Sequence, residues 1–593
     1  MKFLALLLAL LSSAIAERLN DEFMSFVTLP EVYAPRFEVQ YHGRERVGAG
    51  YWFVAPYGKM IPKDPTTGRR PFHVGPHIYD QNGTLIWTGS QMVDNLWVYD
   101  FKAVHETDGR SRLSFIVSKN RTTAPGRAMV LNQNYEVEFE TSGPDALEEF
   151  DIHEFNILPG SKSALACAHW TKEMSLADVG RPQEQSFFIA SGFWEVDMST
   201  GDMLTWWDSS LPGNIAIHES VYFGNDTLPE EPPGHDYLHI NSVDKQVDGN
   251  YLVSMRFTNT IYLISGNDGT ILWRLGGNET DFDQDFTFSK QHDAKFLESN
   301  GTHHVISFLN NASDDQENEE LVSSALIVAL ETGVSPKTAR VIARYNRPDN
   351  ELARLRGNVQ RLPNGNIFVG WSDSGYHSEF SREGDVLMEA RFTAAELLTY
   401  RAYKFEFVGR PNISPALIAS VIEDGERGLL TTIYVSWNGA TDITSWNFYA
   451  QEGENHQRYL LGTVKKTEFE TRFTAKGSLD WISAEPVDYD GNVLGKTSVH
   501  RTATPSHWGE TQDAETTTSE HQIAQTVGEP GKTAESDNVS ESFPLLIPIF
   551  GASVAILIGV CWLATRRRFR PLKHLYQRVP ASERGDTELL EFQ

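Results

Sequence analysis

Cysteine is nearly absent from this sequence. Its 593 residues include only Cys167 and Cys561, and the second falls inside an uncharged apolar run. No disulfide within one compartment can therefore staple the fold, and stability has to come from a large core. Positive charge is also scarce: 51 Lys and Arg stand against 80 Asp and Glu, a net charge of −29. That balance argues against nucleic-acid binding and says little about fold. No complete nucleotide motif is present. Gly491-Asn492-Val493-Leu494-Gly495-Lys496-Thr497 is one residue short of a P-loop and precedes no helix, and Pro530-Gly531-Lys532-Thr533 lies in a polar stretch.

Long apolar runs are few, and the two that occur set the expected topology. Lys2, the run Phe3 to Leu11 and the small-x-small pattern Ala14-Ile15-Ala16 predict a signal peptide over 1–16, too short to span a bilayer. Residues 543–565 carry no charge, which is enough helix to cross about 30 Å of hydrocarbon. Arg566, Arg567, Arg568, Arg570 and Lys573 follow at once, placing the 566–593 tail in the cytoplasm. The expectation is a single-pass type I membrane protein of the secretory pathway or cell surface, with a lumenal or extracellular ectodomain. Asn-x-Ser/Thr acceptors begin at Asn82, Asn120, Asn225, Asn278, Asn300, Asn311, Asn412 and Asn538, as in a glycosylated ectodomain.

What is abundant is repetition. A glycine turn precedes a strand-like run at Leu158-Pro159-Gly160, Asp248-Gly249-Asn250, Ser299-Asn300-Gly301 and Asn364-Gly365-Asn366, with a fainter copy at Asp108-Gly109. A second hairpin turn recurs at Asn82-Gly83, Thr200-Gly201, Asp268-Gly269 and Glu383-Gly384, in three copies with Trp87, Trp206 or Trp273 beyond it. The first set is spaced 51 residues from Gly109 to Gly160, 52 from Gly249 to Gly301 and 64 from Gly301 to Gly365; the 89 from Gly160 to Gly249 implies a long insertion. Four short strands per period of about 50 residues is the signature of a propeller blade.

The predicted fold class is therefore all-β: a roughly six-bladed β-propeller over 20–405, then an immunoglobulin or fibronectin III-like β-sandwich over 409–500, plus one C-terminal transmembrane helix. The sandwich strands are read at Ala416 to Ile422, Thr431 to Trp437, Trp446 to Ala450, Tyr459 to Val464 and Trp481 to Val487. Residues 501–542, rich in Ser, Thr, Glu and Gln, predict a disordered stalk.

Candidate chemistry sits upstream of the repeated turns. His153, His239, His292 and Asn358 precede their turn glycines by 7 to 10 residues. Residues at one repeat phase enter the innermost strands together and converge on the propeller axis. Arg256 ends the strand after His239; a guanidinium in an apolar segment requires either an internal carboxylate or an anionic ligand. Three imidazoles also suit zinc or copper, although neither metal nor cofactor is assigned.

The segments Asp236 to Val243, Leu252 to Arg256, Ile271 to Gly277, Gln291 to Ala294 and Asn364 to Trp371 resemble the arylsulfotransferase family, in its fungal, membrane-anchored branch. The resemblance spans about 70–405. It implies a six-bladed propeller that moves a sulfuryl group from a phenolic sulfate ester to a phenol through a sulfohistidine, without a nucleotide donor. On that resemblance His292 matches the nucleophile, His239, Asn241 and Arg256 match groups that bind the sulfuryl oxygens, and His153 matches a further active-site histidine; Asn358 joins them as a substrate-binding candidate. The chain departs from bacterial members in lacking their disulfide and in carrying a stalk and anchor. The competing expectation is a non-catalytic cell-surface propeller that binds a glycan, a protein or an anionic small molecule.

Overall fold

The computed structural model describes residues 21–504, apart from 66, 107–108, 122–125, 144–148, 159, 161, 223–227, 315 and 426. The expected signal peptide, transmembrane span, tail and almost all of the stalk lie outside the described residues, as do Asn225 and Asn538. Among the described residues no helix is long and apolar enough to cross a membrane.

Six antiparallel sheets follow one another around a ring, and the recurrent turns lie where the sequence period puts them. The first sheet is Val98–His105, Ser111–Val117, Arg127–Leu131 and Val137–Thr141. The second is Glu149–Ile157, Ser163–Leu176, Arg181–Asp197 and Met203–Asp208, and its two long middle strands account for much of the wide spacing before Gly249. The third is Ile240–Lys245, Tyr251–Met255, Thr260–Ile264 and Ile271–Gly276; the fourth is His292–Ser299, His303–Asn310, Ser324–Glu331 and Lys337–Asn346. The fifth is Asn358–Arg361, Ile367–Gly370, His377–Phe380 and Val386–Phe392. The first-named strand of each touches its counterpart in the next sheet, and the ring closes on the sixth. This is a β-propeller of six blades. Gly249 and Gly269, at φ 97° and 75°, show why both turn types call for glycine: each joins adjacent antiparallel strands through the left-handed region.

Closure draws on both ends of the chain. The sixth blade pairs Leu397–Phe405 with the N-terminal strands Tyr51–Gly58, His77–Tyr79 and Leu85–Thr88. Phe37–Tyr41 adds an outer strand to the fifth blade, with Met388 opposite Tyr41. Aromatic residues fill the gaps between blades. Trp87 and Trp273 are buried; at the second copy Trp207 is the buried residue, and Trp206 lies against Trp170 at 4.8 Å with the rings tilted by 49°. Each such burial stabilises by about 1.5–3 kcal/mol.

Beyond the ring, two antiparallel sheets share one core. Ala416–Asp424, Gly428–Ser436 and Glu470–Lys476 face Tyr459–Lys465, Ser445–Gln451, Trp481–Val487 and His500–Arg501 across Ile433, Trp446, Phe448 and Ile482. Two strands escaped the sequence reading. Glu470–Lys476 has only its alternation to show for itself, and His500–Arg501 pairs with Trp481 and Ile482, so the sandwich runs into the first residues assigned to the stalk. It docks on the propeller where Gly439 lets the backbone approach Tyr135, whose hydroxyl donates to the Gly439 carbonyl at 2.7 Å.

One irregularity organises the axis. The innermost strand slips register between Tyr99 and Lys102, Phe150 and Phe155, Ile240 and Ser242, His292 and Lys295, and Thr399 and Ala402. Only the fifth blade, from Asn358 to Arg361, pairs without interruption. A bulge leaves residues unpaired and turns their side chains. Asp100, His239 and Asp293, at φ 52°, 53° and 57°, lie at these irregular strand starts.

Candidate active site

His292 opens the inner strand of the fourth blade and is 2% exposed. Asn311, one residue past the strand His303–Asn310 that pairs with it, fixes its tautomer. The Asn311 amide nitrogen donates to the carbonyls of Ala353 and Arg356 at 2.8 and 3.0 Å. Its oxygen is thereby turned to His292 Nδ1, 2.9 Å away, which must donate. That leaves the lone pair on Nε2, where it accepts from the Arg356 backbone N–H at 3.3 Å. Burial pushes the His292 pKa well below the usual histidine range, and the charges of Arg256, His153 and His239 reinforce this. At neutral pH the residue is a neutral imidazole with an available Nε2.

The other two candidate histidines have carboxylate partners instead. His153 Nδ1 lies 2.8 Å from Asp151 Oδ1, and His169 Nδ1 lies 2.9 Å from Asp151 Oδ2. Burial pulls the His153 pKa down against the opposing pull of Asp151. Burial would raise the Asp151 carboxyl, but the two imidazoles outweigh it and hold it below its ordinary value. His239 Nδ1 meets Asp236 Oδ2 at 2.6 Å, and its backbone N–H donates to Asp236 Oδ1 at 3.0 Å. Its ring lies between His153, 4.9 Å away and nearly perpendicular, and Phe257 at 4.7 Å. A carboxylate behind Nδ1 favours the imidazolium more strongly than a neutral amide oxygen does. Three histidines of one repeat phase are thus divided by their Nδ1 partners, an amide oxygen behind His292 and a carboxylate behind each of the other two.

Arg256 follows the second strand of the third blade. Its backbone N–H donates to the His239 carbonyl at 2.9 Å, its Nη2 to the Arg354 carbonyl at 3.3 Å, and its guanidinium lies 5.3 Å from the Phe257 ring. Asn241 and Asn358 are placed differently. Asn241 donates to the Gln291 carbonyl at 2.7 Å and accepts from the Asp293 N–H at 3.4 Å. Asn358 donates to the Ala402 carbonyl at 2.8 Å and accepts from the Ala402 N–H at 3.0 Å. Both amides are spent joining one blade's backbone to the next.

Beside the histidines, at residues that include Glu154 and Asp293 next to His153 and His292 in the chain, lies a cluster of buried charge that the sequence does not single out. Arg401 Nη1 contacts Asp100 at 2.8 Å, Glu154 at 3.1 Å and Asp293 at 3.4 Å, while Nη2 donates to the Asn241 carbonyl at 2.9 Å. Lys102 and Lys295 each bind Glu154, at 3.0 and 2.6 Å. Burial raises the Asp293 carboxyl even with Arg401 and Lys295 beside it. With the Asn241 carbonyl, the network joins five of the six blades.

A cavity of about 560 Å³ is lined by Arg347, Glu351, Arg354, Arg356, Asp373 and Leu398, among others, and adjoins the site through Arg354 and Arg356, whose backbones bond to Arg256 and His292. Three arginines at its wall attract anions despite the negative chain. Asp151, Asp236 and Asn311 were missed as site residues. The first two had a signal in their spacing, two and three residues before a candidate histidine. Asn311 was instead read as a glycosylation acceptor, which the structure overturns: its amide is wholly buried and committed to three hydrogen bonds. Asn82, Asn120, Asn278, Asn300 and Asn412 are exposed. Among the described residues no group of three or more His, Cys, Asp or Glu side chains is disposed to hold a metal ion.

Residues 114–393, which contain the second to fifth blades, part of the first and all three histidines, match the family described as arylsulfotransferase (ASST). No curated protein matches the chain. Similar solved structures include a protein of unknown function from Bacteroides caccae, 12% identical over 60% of this chain and 99% of that one, with a TM-score of 0.34. The β-propeller domain of Cps50 (Swd1) from Myceliophteria thermophila is 10% identical over 51% of this chain and 95% of its own, with a TM-score of 0.28.

Proposed function

We propose, on the premise that this chain belongs to the arylsulfotransferase family, that it transfers a sulfuryl group from a phenolic sulfate ester to a phenolic acceptor through a sulfohistidine on His292, with no nucleotide donor. The observation that carries this reading is the split among the histidines: His292 is kept neutral by burial, with Asn311 on Nδ1 leaving the lone pair on Nε2, while His153 and His239 are each backed by a carboxylate.

In the first half-reaction the Nε2 lone pair attacks sulfur, the N–S bond forms and the S–O bond to the aryl group breaks. The departing phenolate takes a proton from the His153 and His239 pair. In the second half, the acceptor phenol returns a proton to that pair as its oxygen attacks sulfur, and the electron pair of the N–S bond goes back to Nε2. Arg256 stabilises the charge gathering on the sulfuryl oxygens. The Arg356 N–H, released when Nε2 bonds to sulfur, is a second donor to the same oxygens. Arg347, Arg354 and Arg356 draw the anionic ester in, and Asn241 and Asn358 act by holding neighbouring blades in place.

The same reading places the propeller outside the cytoplasm on a single C-terminal anchor, with the sandwich as an immunoglobulin or fibronectin III-like spacer and glycans on the exposed acceptors. The test is phenol release from 4-nitrophenyl sulfate by the full-length chain and by His292→Ala, with and without an acceptor phenol. Acceptor-dependent release that disappears in the variant is the expected result. Equal, negligible release by both across a panel of aryl sulfates would favour a binding propeller whose arginine-lined cavity holds an anion without turning it over.

A further inference from the structure

Beside the cavity, four aromatic side chains carry polar atoms that the fold leaves unused. Tyr57, Tyr99 and Tyr400 are 1%, 0% and 1% exposed. Their hydroxyls, and the indole N–H of Trp97, are buried with no hydrogen-bond partner in the protein. The rings touch in series: Trp97 to Tyr57 at 5.3 Å, Tyr57 to Tyr99 at 5.3 Å, Tyr99 to Tyr400 at 5.7 Å, and Tyr400 to His153 at 5.9 Å. The Arg356 guanidinium lies 5.6 Å from the Tyr57 ring, and Leu398 lines the cavity while packing on the same cluster.

A buried hydroxyl without a partner costs about 1–3 kcal/mol, and native cores contain few of them. Packing does not require these. Elsewhere in the same cluster Phe150 and Phe155 fill space without an oxygen. Four such groups in one contiguous patch, which packs on the cavity-lining residues Arg356 and Leu398 at one end and on His153 at the other, point to a ligand that supplies the missing acceptor. Burial pushes the Tyr57 hydroxyl up to about 12 and Tyr99 well above its ordinary value, so both remain protonated donors at any physiological pH.

We propose that Tyr57, Tyr99 and Trp97 form a subsite for an aromatic ring bearing a second oxygen, a dihydroxyaryl or alkoxyphenol compound, whose extra oxygen accepts hydrogen bonds from these side chains. The inference deepens the sulfuryl-transfer reading and rests on it for the aromatic nature of the ligand. It makes the wall of the sixth and first blades a determinant of specificity, separate from the groups that handle sulfur. Rejection of a ring lacking the second oxygen follows because the donors are then left buried and unpaired.

The test compares equilibrium binding of phenol and of 1,2-dihydroxybenzene to the full-length chain by calorimetry, in wild type and in Tyr57→Phe, Tyr99→Phe and the double variant. The expected result is a preference of about tenfold for the dihydroxy ring, lost in the double variant, with phenol affinity and thermal midpoint maintained. No preference in wild type, or a preference unchanged by the double substitution, would overturn the subsite and assign the hydroxyls to ordered water. The two readings fail separately. Absence of sulfuryl transfer together with a preference lost in the double variant sinks the transfer reading alone, whereas active transfer with an unchanged preference sinks the subsite alone.

Discussion

The fourth and fifth blades begin their inner strands with polar residues at the same repeat phase, His292 and Asn358, and put them to opposite uses. In the fourth blade the register slips directly after His292, Asp293 takes a left-handed conformation, and the imidazole is hydrogen-bonded to Asn311 and to the Arg356 backbone N–H. In the fifth blade pairing is continuous, and Asn358 closes a two-way hydrogen-bonded link to Ala402. A bulge separates a residue available for chemistry from one consumed in assembly. Asn241 shows that the bulge alone is not sufficient, since it lies in a slipped segment yet also serves the neighbouring backbone.

The widest contrast between the two blades is in catalysis. His292→Ala should lower acceptor-dependent turnover by at least about 10³-fold, whereas Asn358→Leu should change it by only a few-fold; parallel steady-state assays on both variants decide this. The order reverses for stability. Asn358→Leu orphans two buried backbone groups of Ala402 and should cost about 2–4 kcal/mol in urea unfolding; a cost no larger than that of an exposed substitution would show that the link is dispensable.

Asn311→Asp sharpens the comparison by giving the fourth blade the carboxylate partner that the histidines of the second and third have. A charged partner raises the His292 pKa, so protonation removes the Nε2 lone pair at higher pH. The acidic limb of the rate profile should move upward, with roughly tenfold lost below the new limb for each unit moved. An unshifted profile would contradict the role given to Asn311.

The smallest effect concerns buried histidines shared across blades. Burial lowers His377 of the fifth blade to about 3, with Lys404 adding to it, and lowers His73 and His77 to about 4. These groups are neutral when folded and take up protons when unfolded below their usual value, so the unfolded chain binds more protons there. Stability is then full above pH about 6.5 and is lost progressively as pH falls toward 4, by up to about 1.4 kcal/mol per pH unit for each histidine. His377→Leu should make the urea midpoint less sensitive between pH 6.5 and 5. Asp151, whose carboxyl is lowered, acts only below its ordinary range and does not enter that window.

Much of the ring was legible because turn chemistry is local. Gly109, Gly160, Gly249, Gly301 and Gly365 each sit between the first and second strands of a blade, and all five have positive φ. The same locality identified His153, His239 and His292 as a group. It did not separate Asn358 from them, because a polar residue that links blades and one that faces a ligand occupy the same phase. Nor did it reveal Asn311, Arg401 or Lys102, whose partners lie on other strands or other blades.

The order of strands, the period near 50 residues and the entry of three imidazoles at one end of the axis were decided by the sequence itself, through glycine placement and alternation acting within a few residues. The tertiary structure alone decided which imidazole is neutral, which asparagine is structural and where unpaired donors accumulate. Each of those properties is set by burial and by partners tens to hundreds of residues away, as when Arg401 of the sixth blade holds Asp100 of the first and Asp293 of the fourth. Such contacts exist only once the ring has closed.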